Sequence, residues 1–265
     1  MNGDKRTEIY HALQKQQSEY EAQTHQSASR ILSLISHYIE LRSVLDVGCG
    51  LGTWLKTACE LGVQEVMGIE GPWLDRNAVV VDLGLIQIMD LEQPFSLGRR
   101  FDLVICLEVA EHLRPAAASN LVGALAAHGD CVLFSAAVPF QGGNHHVNEQ
   151  FLDYWIKQFA TQGYRPMDIV RGHIWEDTSV HWWLRQNCIL FCSQQAIEGN
   201  EKLRKERDVV RPLAVVHPTL YMMWTQGATQ RAKEHQNMAN LLGRGGNFNA
   251  QPQPDGTLII KRLPT

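Results

Sequence analysis

The chain has 265 residues, 45% hydrophobic and 20% charged, a balance suited to one packed domain with appendages rather than two full domains. Lysine and arginine number 24 against 28 acidic residues, a net charge of −4, which excludes a chain built mainly to grip nucleic acid, because phosphate binding needs clustered cations. No apolar run reaches the roughly 20 residues that span a bilayer, and the polar stretch Met1–Tyr20 lacks the layout of a signal peptide.

Residues 1–40 read as helical. Ile31, Leu32, Leu34, Ile35, Tyr38 and Ile39 recur at three and four and give one apolar face. Thr7–Gln26 is rich in Gln and Glu and reads as a helical appendage able to close as a lid. From Ser43 onward, short apolar runs alternate with helical segments. Strands are predicted at Val44–Val47, Glu65–Ile69, Ile86–Met89, Phe101–Leu107, Cys131–Val138 and Asn187–Cys192. Helices are predicted at Thr53–Leu61, closed by Gly62, at Pro115–Ala127, with proline in the first turn, and at Glu149–Gln162. Phe101–Leu107 is continuously apolar, as a central strand buried on both faces is. The alternation implies right-handed βαβ units and a doubly wound α/β fold with a mostly parallel sheet over residues 41–197.

Beyond it, Glu198–Asp208 reads as a solvated helix or linker and Pro212–Trp224 as apolar. Thr225–Leu242 reads as a helix, Gly243–Gln253 as a loop and Leu258–Ile260 as a final strand. Residues 198–265 are therefore expected to form a C-terminal extension packed on the main domain. The six cysteines (Cys49, Cys59, Cys106, Cys131, Cys188, Cys192) show no paired zinc spacing. Cys188 and Cys192, in one predicted strand, would set their sulfurs about 13 Å apart. Reduced thiols and a cytoplasmic location are expected.

The decisive stretch runs Val44-Leu-Asp-Val-Gly-Cys-Gly-Leu-Gly-Thr53, with glycines at 48, 50 and 52 between a strand and a helix. Glycine lets backbone amides approach a ligand closely. A dinucleotide site also places glycines here, but the third glycine of that register is Thr53 in this chain. Asp46 would repel a pyrophosphate, yet could hold a ligand bearing an amine. Glu70, about 20 residues on, is placed to accept from both ribose hydroxyls, and Asp90 to read an adenine amino group. Glu108 ends the fourth strand in Phe101-Asp-Leu-Val-Ile-Cys-Leu-Glu-Val-Ala-Glu-His-Leu113. One such acid alone would be a cap or turn residue; four in register at consecutive strand ends point to a ligand. Asp82 and Asp102 read as turn and strand-start residues.

This pattern resembles the class I S-adenosylmethionine-dependent methyltransferases over roughly residues 43–193, with Leu-Asp-Val-Gly-Cys-Gly and Glu-Val-Ala-Glu-His-Leu as the specific pair of motifs. The resemblance implies a Rossmann-like sheet and S-adenosylmethionine as cofactor. It implies that Asp46 and the backbone of Gly48, Cys49 and Gly50 serve the methionine part, that Glu70 binds ribose, and that Asp90 and Leu91 contact adenine. Glu108 belongs to the same cofactor set.

Directly after the fifth strand lies Pro139-Phe-Gln-Gly-Gly-Asn-His-His-Val-Asn-Glu-Gln-Phe151, expected to face the sulfonium. With Arg171-Gly-His-Ile-Trp-Glu-Asp177 and Val180-His-Trp-Trp-Leu-Arg-Gln-Asn187, it resembles a bacterial subgroup of these enzymes associated with surface-polysaccharide and sugar biosynthesis. Methyl transfer to a hydroxyl needs alignment and removal of a proton, which suits a neutral imidazole. His146 is the preferred base, with His145 beside it, while Asn144 and Asn148 orient hydroxyls and Glu149 reads as the first-turn acid of the next helix. No metal is expected, because adjacent histidines chelate less readily than an i, i+4 pair and Glu111 with His112 reads as a cap for the Pro115 helix. Val180–Asn187 reads as a strand, with Trp182 and Trp183 on opposite faces. Tyr164, Trp175 and Trp182 are candidates for an aromatic wall against a sugar, and Arg171 for an anionic group of the acceptor.

The expected activity is O-methylation of a small molecule: a sugar, nucleotide-sugar or glycan precursor. Other readings are N- or C-methylation, a non-methylating use of the cofactor such as cyclisation, or a non-catalytic module. No nucleic-acid partner and no membrane span are expected, and nothing in the sequence sets an oligomeric state.

Overall fold

The computed structural model describes residues 3–207, 209, 213, 215–227, 230, 233, 248–252 and 258–262, with side chains from Glu19 onward except in the last two segments. Two compact units divide the chain at His217 and Pro218.

The first unit begins with one long helix, α1 (Gly3–Ser36), followed by β1 (Ser43–Val47), α2 (Thr53–Glu60), β2 (Glu65–Glu70), β3 (Ile86–Ile88) and β4 (Leu103–Leu107). Next come α3 (Ala118–His128), β5 (Cys131–Ser135), α4 (Leu152–Thr161), β6 (Tyr164–Met167), α5 (Arg171–Ile174), α6 (Trp182–Asn187), β7 (Ile189–Ser193), α7 (Gln194–Gly199) and α8 (Glu201–Arg207). The strands form one seven-stranded sheet in the order β3-β2-β1-β4-β5-β7-β6. β1 to β5 pair in parallel, while β7 runs antiparallel to both β5 and β6. The order reverses between β1 and β4, where open α/β sheets leave a crevice at the carboxyl ends of their strands.

Alternation along the strands sorts the core into two layers. Val44, Leu103, Ile105, Leu133 and Leu190 face α1, α2 and α6. Leu45, Val104, Cys106, Val132 and Phe134 face α3 and α4. Ala28, Ile31, Leu32 and Ile35 of α1 are buried against the first face. Each fully buried Ile or Leu contributes about 1.5–3 kcal/mol, so this half of α1 is an integral layer of the domain.

Three sequence expectations are corrected. Val180–Asn187 is not a strand: Trp182–Asn187 is a short helix, with the backbone N–H of His181 donating to Ser27 Oγ. Cys188 caps that helix, and only Cys192 lies in β7, opposite Cys131. A strand at Tyr164–Met167 was not expected, since Pro166 removes a ladder donor; its place at the sheet edge tolerates that loss. The helix expected from Glu149 begins instead at Leu152, which frees Glu149 for another use.

α7, α8 and the segment to His217 lie in the first unit. The second unit, 218–265, contains a helix over 218–227 and an antiparallel pair, β8 (Phe248–Pro252) and β9 (Leu258–Arg262). Much of the helix expected over Thr225–Leu242 and of the loop over Gly243–Gln253 lies outside the described residues. Among the described residues no helix is long and apolar enough to cross a membrane.

Candidate functional site

The carboxyl ends of β1, β2 and β4 converge with two loops on one rim. At β1 the chain turns on Gly48, with φ +79°, whose N–H donates to Ile69 O at 2.8 Å. A Cβ here would lie 2.4 Å from Val109 Cγ2, so this close approach of two loops requires glycine. Gly50 donates its N–H to Glu70 Oε2 at 2.7 Å, while Gly71 N–H donates to Oε1 at 2.7 Å. Nothing stands within 4 Å of a Cβ built on Gly50, so the loop faces open space there.

Beneath the loop, Asp46 is buried and its Oδ2 makes no hydrogen bond among the described residues. Burial first, and then the charge of Glu70, push its pKa up to about 8. Ionised, a buried carboxyl in this position could receive a cation. Burial likewise raises the Cys49 thiol. Asp90, exposed after β3, accepts from Glu92 N–H at 3.0 Å and closes a turn, with Leu91 buried behind it. Asp46, Gly48, Cys49, Gly50 and Glu70 are thus brought together, and Asp90 and Leu91 stand at the end of the neighbouring strand.

Glu108 sits at φ +54°, a conformation that strains a non-glycine residue. Gln141 Nε2 donates to its Oε2 at 2.8 Å, and Asn187 Nδ2 reaches its Oε1 at 3.3 Å and Gln141 Oε1 at 2.8 Å. Burial raises the Glu108 pKa against these hydrogen bonds. The clamp was missed in the sequence, where Asn187 read as a strand residue and Gln141 as part of a polar turn. Sequence reading also passed over Tyr20 and Glu21 of α1. Thr53 Oγ1 donates to Glu21 Oε2 at 2.6 Å, just past the glycine loop. The Tyr20 pKa is raised by desolvation and then by Glu21 and Glu108, which places its phenol near both carboxylates.

The loop after β5 folds back on the turn that follows β4. Val147 and Asn148 donate their N–H groups to Glu111 O at 2.8 and 3.0 Å, and Gln150 donates to Ala137 O at 3.2 Å. His146 Nδ1 pairs with Glu149 Oε1 at 2.9 Å, and Glu149 Oε2 accepts from Phe140 N–H at 2.8 Å. Glu149 is therefore the orienting partner of His146, not the first-turn acid expected. The His146 ring meets His112 edge-on, with centroids 4.9 Å apart. The His112 pKa is lowered by burial and by His146. His145, at φ +60°, and Asn144 are exposed beside them. Glu111 is fully buried, neither of its carboxyl oxygens makes a hydrogen bond among the described residues, and burial followed by Glu108 raises its pKa to about 9.

Two acceptor candidates are corrected. Tyr164 is buried, and its hydroxyl donates to Ala126 O at 3.0 Å and to Gly129 O, at the amino-terminal end of β5 and so at the opposite edge of the sheet. Arg171 is buried in a two-pronged pair with Asp168, at 3.0 and 2.7 Å, and also donates to Gln186 O. Its charge is spent inside the fold. Trp175 packs against His217 at 4.7 Å, and its carbonyl accepts from His217 Nε2. Trp182 is half-buried at the start of α6, about 7.5 Å along the axis from Asn187 at 1.5 Å per residue.

A family model described as a methyltransferase domain matches residues 19–187. No curated protein matches the sequence. Among solved structures, the chain is similar to the sugar N-methyltransferase KedS8 from a Streptoalloteichus species, at 16% identity and a TM-score of 0.50 over 63% of this chain and 86% of that one. It is also similar to DesVI of Streptomyces venezuelae, at 15% identity and a TM-score of 0.51 over 71% of this chain and 98% of that one. At such identities the likeness shows a shared fold.

Proposed function

Because the chain belongs to the methyltransferase-domain family and takes S-adenosylmethionine as its cofactor, we propose that it methylates a hydroxyl of a small acceptor, a sugar, nucleotide-sugar or glycan precursor. The observation that carries this reading is the pairing on one rim of an orphaned acid with an oriented imidazole: Asp46 beneath the glycine loop, and His146 held by Glu149. When bound, S-adenosylmethionine supplies a methyl carbon activated by a sulfonium.

The chain's own residues divide the remaining work. Asp46 holds the cofactor's ammonium, and the open face of Gly50 leaves room for the backbone to approach it. Glu70 accepts from ribose hydroxyls with the lone pairs its two backbone amides leave unused. Asp90 and Leu91 meet the adenine. His146 prepares the acceptor: with Nδ1 tied to Glu149, the second ring nitrogen is left to face the acceptor hydroxyl. His145 and Asn144 orient the acceptor from the exposed side of the loop. Asn187 and Gln141 fix Glu108, and α6 carries Trp182 along the same wall.

Incubation with S-adenosylmethionine bearing a labelled methyl group and a panel of sugars and nucleotide-sugars tests the reading, with mass analysis of the products. Label on an acceptor oxygen supports it. Cofactor binding without transfer to any hydroxyl or amine removes it. A second reading, transfer to an amino-sugar nitrogen, is favoured by the likeness to KedS8, a sugar N-methyltransferase. An amine acceptor already neutral at the assay pH makes little use of a base, so His146→Ala should slow hydroxyl transfer by about 100-fold and amine transfer much less.

A further inference from the structure

We propose that Glu111, His112 and His146 form a binding site for a divalent cation of the borderline class that takes nitrogen and oxygen donors, such as Mn²⁺ or Zn²⁺. The binding claim stands on the geometry alone; its role, presenting the cation's open positions to acceptor oxygens, rests on the hydroxyl reading above.

Four observations converge. One donor atom from each of the three side chains lies within 4.8 Å of the others. Donors around one ion at 2.0–2.2 Å stand at most about 4.4 Å apart, so closure needs only small side-chain rotations. Second, Glu111 is fully buried, neither oxygen meets a hydrogen-bond partner of good geometry among the described residues, and the carboxyl of Glu108 bears on it with like charge, a costly setting for a carboxylate. Among the described residues no arginine answers it: Arg114, three residues on, is exposed and paired with Glu92. Third, Glu149 holds Nδ1 of His146, the carboxylate–histidine arrangement that aims the other nitrogen's lone pair at a metal. Fourth, the backbone is shaped to the cluster. Val147 and Asn148 tie the histidine loop to the carbonyl of Glu111, and a Cβ on Gly143 would fall 2.3 Å from the His146 ring.

Two imidazoles and one carboxylate suit a borderline transition ion better than a hard alkaline-earth cation. His112 is exposed and His146 half-buried, so the cation's remaining positions face solvent and an incoming ligand. Oxygen donors of a polyhydroxyl compound fit those positions. With the cation bound, the free nitrogen of His146 would be a ligand, and the cation would lower the pKa of a bound hydroxyl so that its proton passes to solvent; with no cation bound, the same nitrogen is the base of the reading above. The proposal departs from the sequence expectation of no metal, which considered adjacent histidines, for a spatial reason. His145 is not the partner; His112, brought by the turn after β4, is.

The test uses the full chain stripped with a chelator. Mn²⁺ is titrated in while the free-ion paramagnetic resonance signal is followed, and Zn²⁺ is titrated by calorimetry. One saturable site per chain is expected. Glu111→Gln and His146→Ala should each weaken it by more than tenfold, Glu149→Gln by about tenfold, and His173→Ala, exposed on α5, should leave it unchanged. Circular dichroism checks folding, and His112→Ala, at an exposed residue, replaces Glu111→Gln should the latter misfold. Binding of neither ion by the wild-type chain, or binding unmoved by the variants that fold, overturns the proposal. S-adenosylmethionine titrated into the same stripped protein keeps the two readings apart: a chain that binds the cofactor but neither ion sinks the cation site alone, and a chain that binds an ion but no cofactor sinks the enzyme reading alone.

Discussion

The two halves of the rim are built differently. At the β1–β2 edge, Asp46, Gly48, Gly50 and Glu70 are set by backbone hydrogen bonds across adjacent parallel strands, and the polar groups lie within 25 residues of chain, 46 to 70. On the acceptor side, the groups come from the turn after β4, the loop after β5 and the end of α6, and side chains hold one another: Glu108 by Gln141 and Asn187, His146 by Glu149. A backbone-built site tolerates no change of backbone and little change of charge. A site built from side chains degrades by steps. The predicted effects follow that difference.

The largest is expected at Gly48. A methyl group there meets Val109 at 2.4 Å while φ is +79°, so overpacking and left-handed strain add. Gly48→Ala should lower S-adenosylmethionine affinity by about 100-fold, since roughly 2.7 kcal/mol is two decades. Calorimetry reads it directly. Wild-type affinity in a folded Gly48→Ala chain would mean that the loop does not form the cofactor's seat.

Asp46 sharpens the same half through pH. Its pKa is raised to about 8, so the carboxyl is largely protonated at pH 6, and an ammonium ligand must drive its proton off. Cofactor affinity should therefore fall as pH drops from 8 to 6, by up to about tenfold per unit, with one proton released on binding. Calorimetry in two buffers of different ionisation heat counts that proton. Asp46→Asn should bind about tenfold more weakly at pH 8 and lose the pH slope, and a slope that survives would detach Asp46 from the ammonium.

On the acceptor side, Asn187→Ala removes one amide of the Glu108 clamp. Loss of such a buried hydrogen bond costs about 1–3 kcal/mol, so transfer should fall by about tenfold while cofactor affinity changes little. A fall in cofactor affinity of the same size would place Glu108 in the cofactor half, where the sequence motifs assign it.

The comparison also explains what could be read from the sequence. The glycine-and-acid pattern was legible because a strand end, a turn and the next strand end are local in the chain. The sheet followed from the alternation of apolar runs, except at β6, where Arg165 and Pro166 break the apolar pattern at an edge. α6 misled because Trp-Trp-Leu favours a strand locally. Its contacts decide otherwise: His181 N–H on Ser27, the His181 ring on Thr24, and Asn187 on Glu108. Those partners lie 154, 157 and 79 residues away, beyond the reach of any local pattern. Glu149 and Glu111 read as caps because acids near helix starts usually are. Only the folded loop shows one orienting His146 and the other buried without a partner.

α1 meets the glycine-loop half through Glu21 on Thr53, its Tyr20 feels the charge of Glu108, and His181 is its fastening. Burial lowers the His181 pKa to about 4, below its ordinary value of 6.5. Between those values the unfolded chain binds the proton and the folded one does not, so stability is present above pH 6.5 and is lost as pH falls toward 4. Protection against hydrogen exchange over residues 20–35, measured relative to the intrinsic rate at each pH, should fall below pH 6, ahead of the sheet strands. Uniform exchange across the domain would mean that α1 does not loosen by itself.

The smallest effect is expected at Tyr164, and it tests whether the rim is where catalysis resides. Its hydroxyl donates to carbonyls at the amino-terminal end of β5, and the ring packs near Phe159. Tyr164→Phe keeps the ring and removes only those hydrogen bonds, a loss of about 1 kcal/mol of stability. Thermal unfolding should shift down by a few degrees, with transfer rate and KM for the acceptor unchanged. A rise in acceptor KM with stability intact would carry the acceptor to the far edge of the sheet. No arrangement of His146, Asn187 and Glu108 at the near edge accommodates that result, because one acceptor cannot reach both ends of β5.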